Sequence, residues 1–200
     1  HRPNVIIVLT DDQGYADVGC FGARGFVTPS LDRLAAEGVQ FTDFYAAGNV
    51  CSPSRAALLT GSYPVRTGVT YVLSPGSSVG LNLQEVTIAD LLKSVGYATA
   101  AIGKWHLGDD KTFLPTRQGF DHYFGLPYSN DMSPLPLLQD EEAIEQSPDL
   151  SQLTRRYTDK AIEFITQNQQ RPFFLYLAHT MPHVPLAASS DFEGLSARGL

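Results

Sequence analysis

Four short clusters in this 200-residue chain carry the side chains that could do chemistry. Asp11 and Asp12 are adjacent carboxylates directly after the apolar run Val5 to Leu9, where paired oxygens could hold a hard divalent cation such as Ca²⁺ or Mg²⁺. A polar turn capping the next segment is the other reading of that pair. Cys51-Ser52-Pro53-Ser54-Arg55 sets a thiol just ahead of a predicted helix start, whose backbone N–H groups and dipole favour anions and lower a thiol pKa. Arg55 adds a fixed cationic fork. The alternative is a buried core cysteine with Arg55 on a solvated face.

Gly103-Lys104-Trp105-His106-Leu107-Gly108 follows another predicted strand, so an ammonium and an imidazole could point into one strand-end cleft. Taken alone, a surface lysine beside a half-buried Trp105 and His106 is the plainer reading. His179-Thr180-Met181-Pro182-His183-Val184-Pro185 again follows a strand and supplies two imidazoles on a proline-stiffened loop, one of which could be structural. Together the clusters offer carboxylates for a metal, a nucleophile at a helix start, cations for anionic oxygens and histidines for acid–base work. An anionic ester is the substrate class that would use them all.

The elements that must position these groups alternate. Asn4 to Leu9 is a continuous apolar run, as in a strand buried on both faces of a parallel sheet, and is expected at its centre. Thr28 and Pro29 open a helix that Gly38 closes, and a strand over Val39 to Phe44 is expected next. Helices are predicted over Ser52–Thr60, stopped by Gly61, and over Thr87–Val95, stopped by Gly96, with a strand from Tyr97 to Ile102. Leu153, Tyr157, Ala161, Phe164 and Ile165 fall at helical spacing within Ser151–Asn168, and Pro172–Ala178 reads as a buried strand. Such alternation predicts an α/β fold, a mostly parallel sheet flanked by helices, with ligand sites at the carboxyl ends of the strands. Ser74–Gln84 and Pro127–Asp149 read as loops, and the second is a candidate for substrate selection.

Composition narrows the function. With 43% hydrophobic and 18% charged residues the chain is neither disordered nor collagen-like. Its 14 Lys and Arg against 21 Asp and Glu give a net charge of -7, which disfavours nucleic acid as a partner. The apolar runs are far short of the roughly 20 residues of a membrane-spanning helix, and no signal segment is visible. Two cysteines, Cys20 and Cys51, do not make a disulfide scaffold.

Cys51-x-Pro53-Ser54-Arg55 followed by Leu58-Leu59-Thr60-Gly61, and Gly96-Tyr97-x-Thr99 through Ile102-Gly103-Lys104-Trp105-His106, resemble the two signatures of the type I sulfatases of the alkaline phosphatase superfamily. The resemblance, which runs from Pro3 to about Pro185, implies the alkaline phosphatase-like α/β fold. It also implies that a maturation enzyme oxidises Cys51 to formylglycine, whose hydrated aldehyde supplies the nucleophilic oxygen. One of its hydroxyls would attack sulfur, and the other would make the later elimination of sulfate possible. By the same resemblance Asp11 and Asp12 bind Ca²⁺, or Mg²⁺, together with the oxygen at position 51. Arg55 steadies that residue, Lys104 contacts the sulfate, and His106 handles the second hydroxyl. His183 rather than His179 assists the leaving group, and Ser129 contacts substrate.

Family members are much longer and place an Asp-Asn metal pair and another lysine further on. Residues 1–200 are therefore expected to be the N-terminal part of the catalytic domain, inactive alone or completed by a second chain. The implied substrate is a small-molecule, glycan or lipid sulfate ester, with a lean toward arylsulfatase A or N-acetylgalactosamine-6-sulfatase types. The implied location is periplasmic or secreted, or lysosomal in a eukaryote. Two rival readings stand beside it: a phosphonate monoester or phosphodiester hydrolase of the same superfamily, and a noncatalytic relative that kept the fold.

Overall fold

A computed structural model describes residues 2–197 and 199; His1, Arg198 and Leu200 of the expected 1–200 unit lie outside them. Six strands, β1 (Val5–Leu9), β2 (Ala98–Gly103), β3 (His122–Gly125), β4 (Pro136–Gln139), β5 (Glu142–Gln146) and β6 (Phe173–Ala178), form one sheet in the order β1-β6-β2-β3-β4-β5. The pairs β1/β6, β6/β2 and β2/β3 are parallel, and β3/β4 and β4/β5 are antiparallel. The α/β expectation holds, with an antiparallel hairpin added at one edge.

Strand β6 shows why its sequence is a continuous apolar run. Phe174 and Tyr176 point to one face with Leu59, Trp105 and Phe120, while Phe173, Leu175 and Leu177 point to the other with Leu153, Tyr157 and Phe164. Both faces are covered, so the period-2 alternation of a half-solvated strand vanishes. The first face is roofed by α2 (Cys51–Thr60) and α4 (Ile88–Ser94), the second by α5 (Leu150–Gln167). On α5 the buried Leu153, Tyr157, Ala161 and Phe164 make one apolar stripe, each large side chain contributing roughly 1.5–3 kcal/mol of transfer free energy. Thr87 caps α4: its Oγ1 accepts from Asp90 N at 3.1 Å while Thr87 N donates to Asp90 Oδ2 at 2.9 Å. Gly61 in the left-handed region ends α2. The remaining α-helices among the described residues are α1 (Pro29–Glu37) and the single turn α3 (Pro64–Thr67).

Three expectations are corrected. Strand β1 is not central: it pairs only with β6 among the described residues, and Ile6 and Val8 are 47% and 59% exposed. Its run of apolar residues satisfies the pattern of a two-faced strand, but pattern does not fix position in a sheet. Val39–Phe44 is not a strand, and Val39, Phe41 and Phe44 are exposed. A tyrosine hydroxyl replaces the ladder there: Tyr15 Oη donates to Phe41 O at 3.2 Å and accepts from Phe44 N at 3.2 Å. Pro127–Asp149 is not all loop, since it contains the β4–β5 hairpin, turned by Asp140 in the left-handed region.

Candidate active site

The carboxyl ends of β1, β2, β3 and β6 bring the sequence clusters to one rim. His179 N donates to Leu9 O at 2.8 Å and Asp11 N to Met181 O at 3.2 Å, which ties the exits of β1 and β6 together. Lys104 N donates to Ala178 O at 2.8 Å, Trp105 N to Leu126 O at 2.9 Å and His106 N to Pro127 O at 3.0 Å, so the segment after β2 is clamped between its neighbours. Glycine permits that squeeze. A Cβ on Gly103 would lie 1.8 Å from Ala178 O, and one on Gly125 would lie 1.8 Å from Gly103 O.

Within this frame Asp11, Arg55, Lys104 and Ser129, all buried, form one polar cluster. Lys104 Nζ donates to Asp11 Oδ2 at 2.5 Å and to Ser129 Oγ at 3.0 Å. Arg55 Nη1 donates to Lys104 O at 2.6 Å and to Tyr176 Oη at 3.4 Å, and its Nη2 stands 3.5 Å from Asp11 Oδ1. Burial opposes the Arg55 charge, yet Tyr176, Asp11 and Cys51 together hold its pKa above the ordinary value. Burial, then the Arg55 charge, pushes the Lys104 ammonium below its ordinary value against the pull of Asp11. Two cations thus share one carboxylate, leaving the cluster a net positive charge suited to an anion.

Cys51, half-buried, is the first residue of α2 rather than the residue ahead of it, with Val50 as the cap. Arg55 follows it by four residues, one helical turn, so the two side chains share a face of α2. His106 is fully buried with its backbone in the left-handed region at φ 62°. Its Nε2 lies 2.9 Å from Leu73 O, and its Nδ1 is buried without a hydrogen-bond partner among the described residues. Burial, then the Lys104 charge, pulls the His106 pKa down to about 4, so the ring is neutral at pH 7.

His183 sits on the outer side of the rim. Its Nε2 is 3.7 Å from Asp12 Oδ2 and its Nδ1 is 2.5 Å from Val184 O. His179 instead packs its ring 6.2 Å from that of Tyr157, and burial lowers its pKa. The structure therefore separates the two imidazoles by surroundings, one against the core and one turned to Asp12 at the rim. Asp12, also in the left-handed region, is mostly exposed.

Residues without an assigned role in the sequence also belong here. Asn130 Nδ2 donates to the carbonyls of His183 and Pro185 at 3.5 and 3.3 Å, holding the histidine loop. Burial opposes the Asp131 charge, but the Ser129 hydrogen bond, then its backbone, His183 and Lys104 hold its pKa below the usual carboxylate value. Tyr176 reads as core because it lies inside an apolar strand. Adjacency in Tyr128-Ser129-Asn130-Asp131 is the signal that could have found Asn130 and Asp131.

The donor set for a cation is incomplete. The described residues contain no group of three His, Cys, Asp or Glu side chains that could hold a metal ion. Asp11 and Asp12 supply two carboxylates where Ca²⁺ takes six to eight oxygens, and Asp11 is already shared by Lys104 and Arg55.

A family model described as Sulfatase matches residues 3–199. Arylsulfatase G of Rattus norvegicus is 41% identical over 94% of this chain and 42% of its own length, and arylsulfatase A of Homo sapiens is 42% identical over 98% and 44%. The chain therefore spans less than half the length of these curated relatives. Among solved structures, the PsFucS1 sulfatase from Pseudoalteromonas sp. superposes with a TM-score of 0.86 at 29% identity, over all of this chain and 48% of its own. A second structure, described under the metabolism of multiple glycosaminoglycans by Bacteroides thetaiotaomicron, gives 0.90 at 29% identity over 96% of this chain and 54% of its own. The strand-end cluster, the signature residues it gathers and these matches agree, and the chain belongs to the sulfatase family.

Proposed function

We propose that this chain forms the nucleophile-bearing part of an enzyme that hydrolyses sulfate monoesters to alcohol and sulfate. The observation that carries the reading is the buried Asp11–Arg55–Lys104 cluster, one carboxylate against two cations, beside Cys51 at the start of α2. Such a cluster is preorganised for charge on the equatorial oxygens of a transferring sulfuryl group. Converted to formylglycine and hydrated, position 51 supplies an oxygen nucleophile and a second hydroxyl.

In this reading each side chain has a task. Lys104 Nζ, held by Asp11 and Ser129, has three donors and can give the third to a sulfate oxygen. Arg55 is held by Lys104 O and Tyr176, so it orients the floor of the site. Neutral His106 offers Nδ1 as a proton acceptor, and His183 Nε2 holds a proton for the departing alcohol oxygen. A Ca²⁺ or Mg²⁺ ion, bound to Asp11 and Asp12 and to ligands from outside these residues, would supply further positive charge and orient the substrate.

The substrates in this reading are small-molecule, glycan or lipid sulfate esters, and the partners are a formylglycine-generating maturation enzyme and the remainder of the catalytic unit. A periplasmic, secreted or lysosomal setting accompanies it, and no helix among the described residues is long and apolar enough to cross a membrane. The test is made on the full-length protein from its native host, by mass spectrometry of the Cys51 peptide and assay of 4-nitrocatechol sulfate against bis(4-nitrophenyl) phosphate and a phosphonate monoester. Formylglycine with faster sulfate release supports the reading. Faster phosphodiester or phosphonate cleavage moves the assignment to the rival hydrolase, and unmodified Cys51 with no turnover moves it to the noncatalytic relative.

A further inference from the structure

We infer that Ser52 is a positioning residue, which through the backbone of Leu73 fixes the tautomer and orientation of His106. The inference rests on the reading of position 51 as nucleophile and of His106 as its proton acceptor. The geometry is a three-residue chain: Leu73 N donates to Ser52 Oγ at 3.2 Å, and Leu73 O lies 2.9 Å from His106 Nε2. Ser52 and His106 are fully buried and Leu73 is 2% exposed, so water does not compete for either bond.

The second bond decides the tautomer. A carbonyl oxygen carries no proton, so the hydrogen between Leu73 O and Nε2 belongs to the ring. In a neutral imidazole the other nitrogen is then a bare lone pair. That nitrogen, Nδ1, is the buried atom without a partner among the described residues. Burial and the adjacent Lys104 charge keep the ring neutral.

The first bond gives Ser52 its part. Leu73 leads into the long Ser74–Gln84 connection; its side chain is held in the core, and the Ser52 hydroxyl is what holds its backbone N–H and so sets how the chain enters the carbonyl that meets Nε2. Ser52 lies in the first turn of α2, one residue after Cys51, so the anchor moves rigidly with the nucleophile position. His106 adopts a left-handed backbone at φ 62°, a conformation that persists only where the surroundings over-determine it. His106 N on Pro127 O at 3.0 Å and Nε2 on Leu73 O are the two bonds that do so.

The test uses full-length mature protein, wild type, Ser52→Ala and Ser52→Thr, with formylglycine occupancy at position 51 measured by mass spectrometry in each. The expected result for Ser52→Ala at equal occupancy is a fall in kcat of about tenfold or more with KM within about twofold, since an acid–base group is misplaced while the groups that bind substrate stay in place. Ser52→Thr, which keeps the hydroxyl, recovers most of kcat. Nitrogen-15 spectra of histidine-labelled wild type should show His106 protonated at Nε2 and bare at Nδ1, and Ser52→Ala should mix the two tautomers. A wild-type ring protonated at Nδ1 overturns the inference, as does Ser52→Ala retaining wild-type kcat or losing activity only in proportion to formylglycine. The spectra need no turnover, so they judge Ser52 even if Cys51 proves unmodified and the sulfatase reading fails.

Discussion

Lys104 Nζ stands 2.5 Å from Asp11 Oδ2 with both side chains almost wholly out of water, and this pair joins the exits of β1 and β2. Desolvating two charges is costly and is offset only while each keeps its partner. Replacing Asp11 by Asn strands both Lys104 and Arg55 without a carboxylate. Chemical denaturation of metal-free protein should show a loss of about 3–5 kcal/mol. The double variant Asp11→Asn/Lys104→Met should lose less than the two single variants summed, because the second change removes the charge that the first left unpaired. Simple additivity would show that the pair is not coupled.

The pKa of His106, lowered from 6.5 to about 4 by burial and then by Lys104, makes stability depend on pH in a defined direction. Above pH 6.5 the folded and unfolded states are both neutral at this site. Between pH 6.5 and 4 the unfolded chain takes up a proton that the folded chain refuses, so stability falls as pH falls. The full contribution is about 3 kcal/mol as an upper figure, from a shift of 6.5 to about 4 at 1.36 kcal/mol per unit. His179, also lowered by burial, adds a loss of the same sign. Melting curves of His106→Gln against wild type should converge as pH drops through this window, and a constant gap would remove His106 from the acid sensitivity.

Glycines that look alike in sequence divide by what surrounds them. Gly125→Ala drives a Cβ to 1.8 Å from Gly103 O, backbone against backbone, where neither can swing aside. Loss of folded protein, or a cost above about 4 kcal/mol, is expected. Gly61 has φ 65° with nothing within 4 Å of the point a Cβ would occupy, so Gly61→Ala incurs only the left-handed backbone cost, about 1–2 kcal/mol. Equal melting temperatures for the two variants would show that the close approach of β2, β3 and β6 is not what demands Gly125.

What the sequence made legible is local. Pro53 and Gly61 bracket α2, Thr87 and Asp90 cap α4, and the stripe from Leu153 to Phe164 specifies α5, because each signal lies within a few turns of chain. Asp11, Lys104 and the two histidines were legible because they follow strands, whose ends a parallel sheet gathers, whereas Cys51 and Arg55 sit on α2 and follow none. Position within the sheet was not legible: Val5–Leu9 and Phe173–Ala178 have similar apolar runs, yet in the sheet formed by the described residues one lies at the edge and the other inside. The β4–β5 hairpin was hidden by strands of four and five residues amid prolines and acids. Leu73 could not be found at all, since its contribution to the site is a backbone carbonyl, which every residue has.

In the full-length protein, His183 tests the leaving-group side of the proposed reaction. Its Nδ1 lies 2.5 Å from Val184 O, so that nitrogen carries a proton in either charge state of the ring. Nε2, 3.7 Å from Asp12 Oδ2, is the nitrogen turned to the rim, and it carries the second proton when the ring is cationic. A histidine that protonates the departing oxygen matters in proportion to how basic that oxygen becomes. Nitrocatechol leaves as a stable anion and needs little help, whereas a sugar or alkyl alkoxide needs a proton as the bond breaks. His183→Ala should therefore slow 4-nitrocatechol sulfate less than about tenfold but sugar or alkyl sulfates by about 10²–10⁴-fold. Across a series of aryl sulfates, log kcat/KM plotted against leaving-group pKa should be steeper for the variant than for wild type. Asn130→Ala, which releases the His183 and Pro185 carbonyls, should steepen the same plot more mildly while leaving the nitrocatechol rate near wild type. Parallel slopes in all three proteins would mean that His183 orients substrate and another group delivers the proton.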